Sequence, residues 1–186
     1  MDLLPLALKR HVTRDEAIAA FQRRGLIGMF QRAALRSVAD VYVPYHLFRV
    51  EIAEWRKRQT SYVAVDALRG MLDPYQFDRR IEAGDLVAID GHPRNRMHAA
   101  LDVAVTSHVV RDAVQRILFQ TGVYRVRAPR ITVAHEPIDL HVPYYLGFYG
   151  TPGECASVAR MRVMDAVRRR FEGGKARALF EGWLAD

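Results

Sequence analysis

Val-Pro-Tyr-His-Leu at residues 43–47 returns as Val-Pro-Tyr-Tyr-Leu at residues 142–146. Val-Asp-Ala-Leu-Arg at residues 65–69 returns as Met-Asp-Ala-Val-Arg at residues 164–168. In both cases the second copy lies 99 positions after the first. Two motifs that recur at one spacing predict an internal duplication, and a repeat of this kind decides the architecture of a chain.

In each repeat, the two motifs follow a stretch with the pattern of a helix. Thr13 and Glu16 have the spacing of a capping box, and the apolar residues after them predict a helix over residues 13–24. In the second repeat, apolar residues recur at helical spacing from Ser107, the predicted N-cap, to a stop at Gly122. Aligning the two helices gives a shift of 96 positions, so the helices belong to the same repeat.

The motifs themselves lie in stretches rich in β-branched and aromatic residues, which are typical of strands. Residues 41–52 and 62–65 predict two strands of the first repeat, joined by a polar turn at residues 56–59. Residues 140–149 and 159–164 predict the equivalent pair in the second repeat.

A proline lies inside each central strand, Pro44 in the first and Pro143 in the second. Because proline cannot donate a backbone hydrogen bond to a neighbouring strand, both positions predict an edge strand or a bulge. Two such edges could face each other or line a cleft together.

The order of the elements predicts an α+β protein made of two similar helix-plus-antiparallel-sheet units. The first unit covers residues 1–75 and the second residues 107–186, with a connector over residues 76–106. The second unit ends in an amphipathic helix from Lys175, whose apolar face should pack down on the protein. A chain of 186 residues fits one compact domain that contains both units.

Alternation along the strands and spacing along the helices select the predicted core. Its members are Ile18, Phe21, Val43, Leu47, Val65, Val114, Ile117, Val142 and Leu146.

The bulk properties exclude some classes of protein. The net charge of +7 permits nucleic acid, anionic lipid or an acidic protein as a partner, without requiring one. Cys155 is the only cysteine, which excludes an intramolecular disulfide and a cysteine metal cluster. No apolar run reaches the roughly 18 residues of a membrane-spanning helix. The first residues lack the order of a secretory signal, so we expect a cytoplasmic protein.

The helix that opens at Thr13 and Glu16, with the turn Val-Asp-Ala-Leu-Arg-Gly at residues 65–70, resembles the PepSY-type module. That family packs a helix on a small antiparallel sheet and is similar to cystatin-like folds. The resemblance covers residues 13–70 and implies a non-enzymatic binding or inhibitory module. In the second repeat, Arg169 stands where the family pattern has glycine.

Asp66 and Asp165 occupy the same place in the two repeats. One interpretation is a pair of carboxylates that act as general acid and general base. We favour the other, in which each aspartate accepts hydrogen bonds from its own turn, because alanine follows each one and no catalytic residue type flanks it. No catalytic residue is predicted, and we expect a protein that is not an enzyme.

The seven histidines do not form a metal-binding pattern. They lack the spacing of a helical zinc motif, and no cysteine supports them. His92 and His98 share a loop region, while His46 is replaced by Tyr145 in the second repeat, so that position does not require an imidazole. Neither a metal nor a cofactor is predicted.

Aromatic residues concentrate on the central strands, and two interpretations of them are open. Beside arginines they could stack on nucleic-acid bases; alternatively, one face is core and the other packs the opposite unit. The residues concerned are Tyr42, Tyr45, His46, Tyr144 and Tyr145.

The densest basic stretch surrounds the second Asp motif and supplies the other candidate binding residues. Its side chains could contact phosphates, or they could form a solvated face, and no recognised nucleic-acid motif flanks them. These candidates are Arg162, Arg168, Arg169 and Arg170.

We therefore expect a protein-binding or assembly module, with another protein or a second copy of the chain as partner. The alternative is a nucleic-acid-binding protein that uses the arginine-rich stretch between Arg162 and Arg177. A third interpretation is a small-molecule site in a cleft between the units.

Overall fold

The chain forms an α+β protein, as the sequence predicts. The computed structural model describes residues 5–23, 34–54, 57–89, 95–120, 129–150 and 160–185. Within these ranges, three helices accompany one large mixed sheet. None of the helices in these ranges has the length and apolar character needed to cross a membrane.

Helices alternate with groups of strands along the chain. In order, the elements are β1 (Leu6–Leu8), α1 (Arg14–Gln22), β2 (Ala34–Glu54), β3 (Lys57–Asp66), β4 (Tyr75–Phe77), β5 (Leu86–Ala88), α2 (Val103–Gln120), β6 (Arg130–Gly150), β7 (Arg160–Asp165), β8 (Arg170–Phe171) and α3 (Gly174–Ala185). A short 3-10 helix over Ala83–Asp85 precedes β5.

The strands lie in the order β4-β3-β2-β6-β1-β5, while β7 pairs with β6 and β8 with β7. β2 and β6 are both 21 residues long. β2 pairs antiparallel with β3 from Tyr45 opposite Asp66, and β6 pairs antiparallel with β7 from Tyr144 opposite Asp165. β1 runs parallel to β6, which makes the sheet mixed.

The contacts divide the chain into two compact units, and the boundaries fall inside the long strands β2 and β6. Unit 1 comprises Met1–Ala7, Val43–Asp90 and His98–His141. Unit 2 comprises Leu8–Tyr42, Gly91–Met97 and Val142–Asp186. α2 therefore belongs to unit 1, whereas α1 and α3 belong to unit 2.

The core of unit 1 lies between α2 and strands β2 and β3. Val110, Val114 and Leu118 recur every four residues on one face of α2, so they share one side of the helix. They pack against Phe48, Val50, Val63 and Val65. Burying an apolar side chain of this size contributes about 1.5–3 kcal/mol to stability.

In unit 2, α1 packs on β6 at a glycine. The predicted capping box is present, since Thr13 N donates to Glu16 Oε2 at 2.8 Å and Glu16 N donates to Thr13 Oγ1 at 3.3 Å. Phe21, the residue before the last of α1, lies over Gly147 of β6. A Cβ atom at position 147 would come within 2.5 Å of the Phe21 ring, so this close approach requires glycine.

Pro44 and Pro143 lie in internal strands, so of the two predicted alternatives, an edge strand or a bulge, the edge strand is wrong. Each proline stands where its strand gains a new neighbour: β6 pairs with β1 up to His141 and with β7 from Tyr144. The Pro143 carbonyl accepts from Ala166 N at 3.2 Å. The N and C=O of a strand residue point to the same side of the strand. The missing N–H of Pro143 therefore lies where the neighbour of β6 changes from β1 to β7, and it interrupts no continuous ladder of hydrogen bonds.

α2 begins at Val103, so the predicted start at Ser107 is wrong. The Asp102 carboxylate accepts from Ala104 N at 2.7 Å, which gives Asp102 the capping role. Ser107 lies inside the helix, where its hydroxyl donates to the Ala104 carbonyl at 2.7 Å. The predicted turn at residues 56–59 is also too long, because Lys57 already pairs with Glu54 in the β2–β3 ladder.

The predicted core and terminal helix are largely confirmed. α3 buries Ala176, Leu179 and Phe180, although Leu184 is 51% exposed. Ile18 is only half-buried, and the side chain of Ile117 lies outside the described residues. The predicted core residues that are buried are Phe21, Val43, Leu47, Val65, Val114, Val142 and Leu146.

Candidate interaction surface

α2 turns two exposed apolar side chains away from the core of unit 1. Val105 is 49% exposed and Phe119 is 63% exposed. They are 14 residues apart, which is two heptads, so they lie on nearly the same line along the helix. The two side chains are separated by about 21 Å along the helix axis, so each is a separate apolar contact point on this line.

The residues between Val105 and Phe119 on this line are polar or charged. Asp112 lies one heptad from each, and Gln115 and Arg116 follow it on the next turn. Together with Phe119 these three residues line an open depression. We call this surface the α2 stripe; it consists of Val105, His108, Asp112, Gln115, Arg116 and Phe119.

The α2 stripe combines an apolar anchor with charged neighbours of both signs. The Phe119 ring would lose its hydration on contact with a partner, while Asp112 and Arg116 carry charges of opposite sign. Protein interfaces are typically built from such anchors within a polar rim. The arrangement is suited to binding another protein surface.

Tyr45 and Tyr144 are core residues of their units, each only 1% exposed. The Tyr45 ring meets Tyr75 edge-to-face, with centroids 5.7 Å apart. The Tyr144 ring lies 5.6 Å from the Phe180 ring of α3. Rings buried in this way hold strands and helices together and have no face open to a nucleic-acid base.

Tyr42 and Tyr145 meet at Arg10 in unit 2. Arg10 donates to Tyr42 Oη at 2.7 Å and to Tyr145 Oη at 3.2 Å. It also donates to Asp40 Oδ2 at 2.7 Å, and Arg14 approaches the other oxygen of that carboxylate at 3.2 Å. The guanidinium carbon of Arg10 lies 5.2 Å from both tyrosine ring centres, within cation–π range.

The ionisation of this cluster follows from its burial and pairing. Burial raises the pKa of the Tyr145 hydroxyl, and the charge of Arg10 opposes that rise. For Arg10, burial opposes the charged form but the hydrogen bond to Asp40 favours it, and the net result is a raised pKa. The arginine stays charged and ties β2 to the segment before α1 within unit 2.

His46 lies in β2 and belongs to unit 1. Its Nδ1 lies 2.8 Å from Thr106 Oγ1 of α2, and its ring centroid lies 5.7 Å from that of His135. Burial lowers the pKa of His46, and His135 lowers it further, while Asp102 raises it. A neutral His46 thus links β2 to the start of α2.

Asp66 and Asp165 are fully buried and each holds its own turn. Asp66 accepts four hydrogen bonds, at 2.8–3.2 Å, from backbone N–H groups between residues 68 and 72. Asp165 accepts from the two N–H groups of residues 167–168, both at 2.8 Å. The turn-forming interpretation is confirmed for both aspartates.

The four arginines of the basic stretch have partners within unit 2. Three lie near a carboxylate and one lies over a ring. These contacts are Arg162 over Phe171, with the guanidinium carbon 3.8 Å from the ring centroid, Arg168 with Asp165 at 3.9 Å, Arg169 with Glu16 at 3.9 Å, and Arg170 with Glu172 at 3.0 Å.

In the part of the chain that the structure describes, no group of three or more His, Cys, Asp or Glu side chains is placed to hold a metal ion. His98 is exposed, whereas His92 and Cys155 lie outside the described residues.

Sequence reasoning did not identify the α2 stripe, although its signal is present. Val105, Asp112 and Phe119 stand at heptad spacing. Starting the helix at Ser107 leaves Val105 outside it, and Phe119 then looks like one isolated apolar residue at a helix end. In the structure the Asp102 cap sets the start of the helix, and this start places Val105 inside it.

The structure is therefore that of an α+β protein in which one face of the amphipathic helix α2 is exposed. Comparison with known proteins found no matching family model, no matching curated protein and no matching solved structure.

Proposed function

We propose that this chain is a non-enzymatic protein-binding or assembly module whose binding surface is the α2 stripe. The observation that carries the proposal is the exposure of Val105 and Phe119 on one line of a helix whose other face is packed in the core. Covering the side chain of a phenylalanine contributes about 1.5–3 kcal/mol, so a partner gains affinity by burying it.

The surface is presented by a helix that is packed on the core of unit 1, which favours binding. Leu118, adjacent to the exposed Phe119, is only 8% exposed, and Val110 and Val114 anchor the preceding turns. Side chains presented by a packed helix lose less freedom on binding than those of a loop. The loss of conformational entropy that orders this surface therefore occurs on folding and not on binding.

We also propose that the chain arose by fusion of two copies of one ancestral unit. The pairing of positions 45 and 66 returns as the pairing of positions 144 and 165, shifted by 99 in both strands. The left-handed residues Gly70 and Arg169 are separated by the same 99 positions. In each half a helix precedes a 21-residue strand and its antiparallel partner.

The resemblance of residues 13–70 to PepSY-type modules supports the same kind of function, because it implies binding or inhibition. The compartment in this proposal is the cytoplasm, where a chain with one cysteine needs no disulfide.

The alternative function is nucleic-acid binding through the arginine-rich stretch. The net charge of +7 favours this alternative. Three of its arginines, Arg168, Arg169 and Arg170, lie within 3.9 Å of a carboxylate. Those carboxylates would repel phosphate and compete for the guanidinium groups. We therefore rank a protein partner first.

A photoreactive residue in the α2 stripe tests the proposal. The full chain carrying benzoylphenylalanine in place of Phe119 is expected to form a covalent protein adduct in its native host upon illumination. The same probe in place of the exposed Arg58 of β3 is the control and should give no such adduct. Nuclease treatment should leave the adduct intact. Absence of a position-specific protein adduct, or an adduct consumed by nuclease, would contradict the proposal.

A further inference from the structure

We infer that the partner of the α2 stripe is a second copy of this chain, which packs its own α2 antiparallel against the first. The inference rests on the proposed function and adds the identity of the partner. It is carried by the self-complementary charge of the stripe, since Asp112 and Arg116 are both exposed and stand one turn apart.

The positions of these two charges favour one orientation of the pair. A twofold axis that passes between Asp112 and Arg116 brings Asp112 of each copy opposite Arg116 of the other. One interface then contains two contacts between opposite charges. A parallel pair would set Asp112 against Asp112 and Arg116 against Arg116, so that like charges repel.

The same axis places the apolar anchor against the partner helix. With the pair centred near residue 114, Phe119 of each copy lies opposite residues 108–109 of the other. Helices packed 8–10 Å apart allow a phenylalanine to cover this part of the facing helix. Each copy therefore contributes one ring and two charges, and the interface is symmetric.

One helix pair is smaller than the roughly 1,200–2,000 Å² of a standard stable interface. We therefore expect a dimer that dissociates on dilution, with a Kd on the order of micromolar.

Charge reversal tests the inference in the full chain. Asp112→Arg gives a stripe with two positive charges and Arg116→Asp one with two negative charges. Each variant alone is expected to self-associate at least about tenfold more weakly than the unchanged protein in sedimentation equilibrium. An equimolar mixture of the two should form a heterodimer, and the double variant Asp112→Arg/Arg116→Asp should recover homodimerisation.

The outcomes separate the inference from the proposed function. Equal melting temperatures confirm that the exposed substitutions leave the fold intact, and isotopic labelling of one variant identifies the heterodimer by native mass spectrometry. Single variants that associate as well as the unchanged chain, or a mixture that stays monomeric, would overturn the inference. If the unchanged chain is monomeric while position 119 crosslinks to a different protein, the proposed function stands and self-association does not. If position 119 gives no adduct and the chain is monomeric, both are overturned.

Discussion

At the scale of single residues, Gly70 and Arg169 reach the same backbone conformation with different side chains. Gly70 has φ of +65° and Arg169, 99 positions later, has φ of +58°. Glycine adopts this left-handed conformation freely, whereas a side chain costs about 1–2 kcal/mol there. The sequence does not reveal that Arg169 adopts this conformation, because arginine has no preference for it. In the structure, the two residues before Arg169 donate their backbone N–H groups to Asp165.

We predict opposite effects of substitution at these two positions. Arg169→Gly should raise the free energy of unfolding by roughly 0.5–1 kcal/mol because it removes the strain of the left-handed residue. Gly70→Ala should lower it by about 1 kcal/mol for the same reason. Urea denaturation measures both, with Arg168→Gly as the control that should not stabilise. A destabilising Arg169→Gly would show that the arginine is not strained.

The contact between Phe21 and Gly147 yields a second prediction at this scale. Gly147→Ala should destabilise the protein by about 1–3 kcal/mol, because the added Cβ would overlap the Phe21 ring at 2.5 Å. Adding Phe21→Leu should recover part of this loss, so that the double-mutant cycle shows coupling. Strict additivity in thermal and urea unfolding would mean that the two residues do not compete for space.

His46 predicts a dependence of stability on pH. Burial and His135 lower its pKa in the folded state, so the unfolded chain, with a pKa near 6.5, binds the proton more readily. The stability from neutral His46 is fully present above about pH 6.5 and is lost as the pH falls through the lowered folded value. His46→Gln should therefore flatten the stability profile between about pH 7 and 5. Parallel profiles for the two proteins would contradict this assignment.

At the scale of helices and strands, some features depend only on residues that are close in sequence, and others do not. The helix start at Thr13 is predicted correctly because the capping box lies within four residues. The start of α2 is missed because Ser107 and Asp102 are both plausible caps, and the sequence alone does not choose between them. Pro44 and Pro143 mislead in the same way, since their place within an internal strand depends on which neighbours that strand gains.

Adjacent residues of α2 give a prediction about its two faces. Leu118→Ala should destabilise the protein by about 2–5 kcal/mol, because Leu118 packs in the core of unit 1. Phe119→Ser should change the stability of the dissociated chain by less than about 0.5 kcal/mol, because Phe119 is 63% exposed. Thermal unfolding of dilute protein compares the two. A loss at Phe119 as large as that at Leu118 would show that the ring is structural.

At the scale of the whole molecule, the α+β class, the central strands and the two aspartate turns could be predicted because they depend on short patterns. The order of strands and the membership of the units could not. β2 contributes residues 34–42 to one unit and 43–54 to the other, a division set by contacts distant in sequence. The candidate surface was missed for a related reason: exposure of Phe119 depends on which face of α2 the sheet covers.

Sedimentation equilibrium of the full chain, beside Phe119→Ser, tests the central claim of assembly through α2 most directly. Across a concentration series from about 1 to 100 µM, the unchanged chain should shift from monomer to dimer mass, because each copy buries the Phe119 ring of the other. Phe119→Ser should remain monomeric over the same range with an unchanged melting temperature at low concentration. A monomer mass for the unchanged chain at every concentration, or a dimer that survives in Phe119→Ser, would contradict the account.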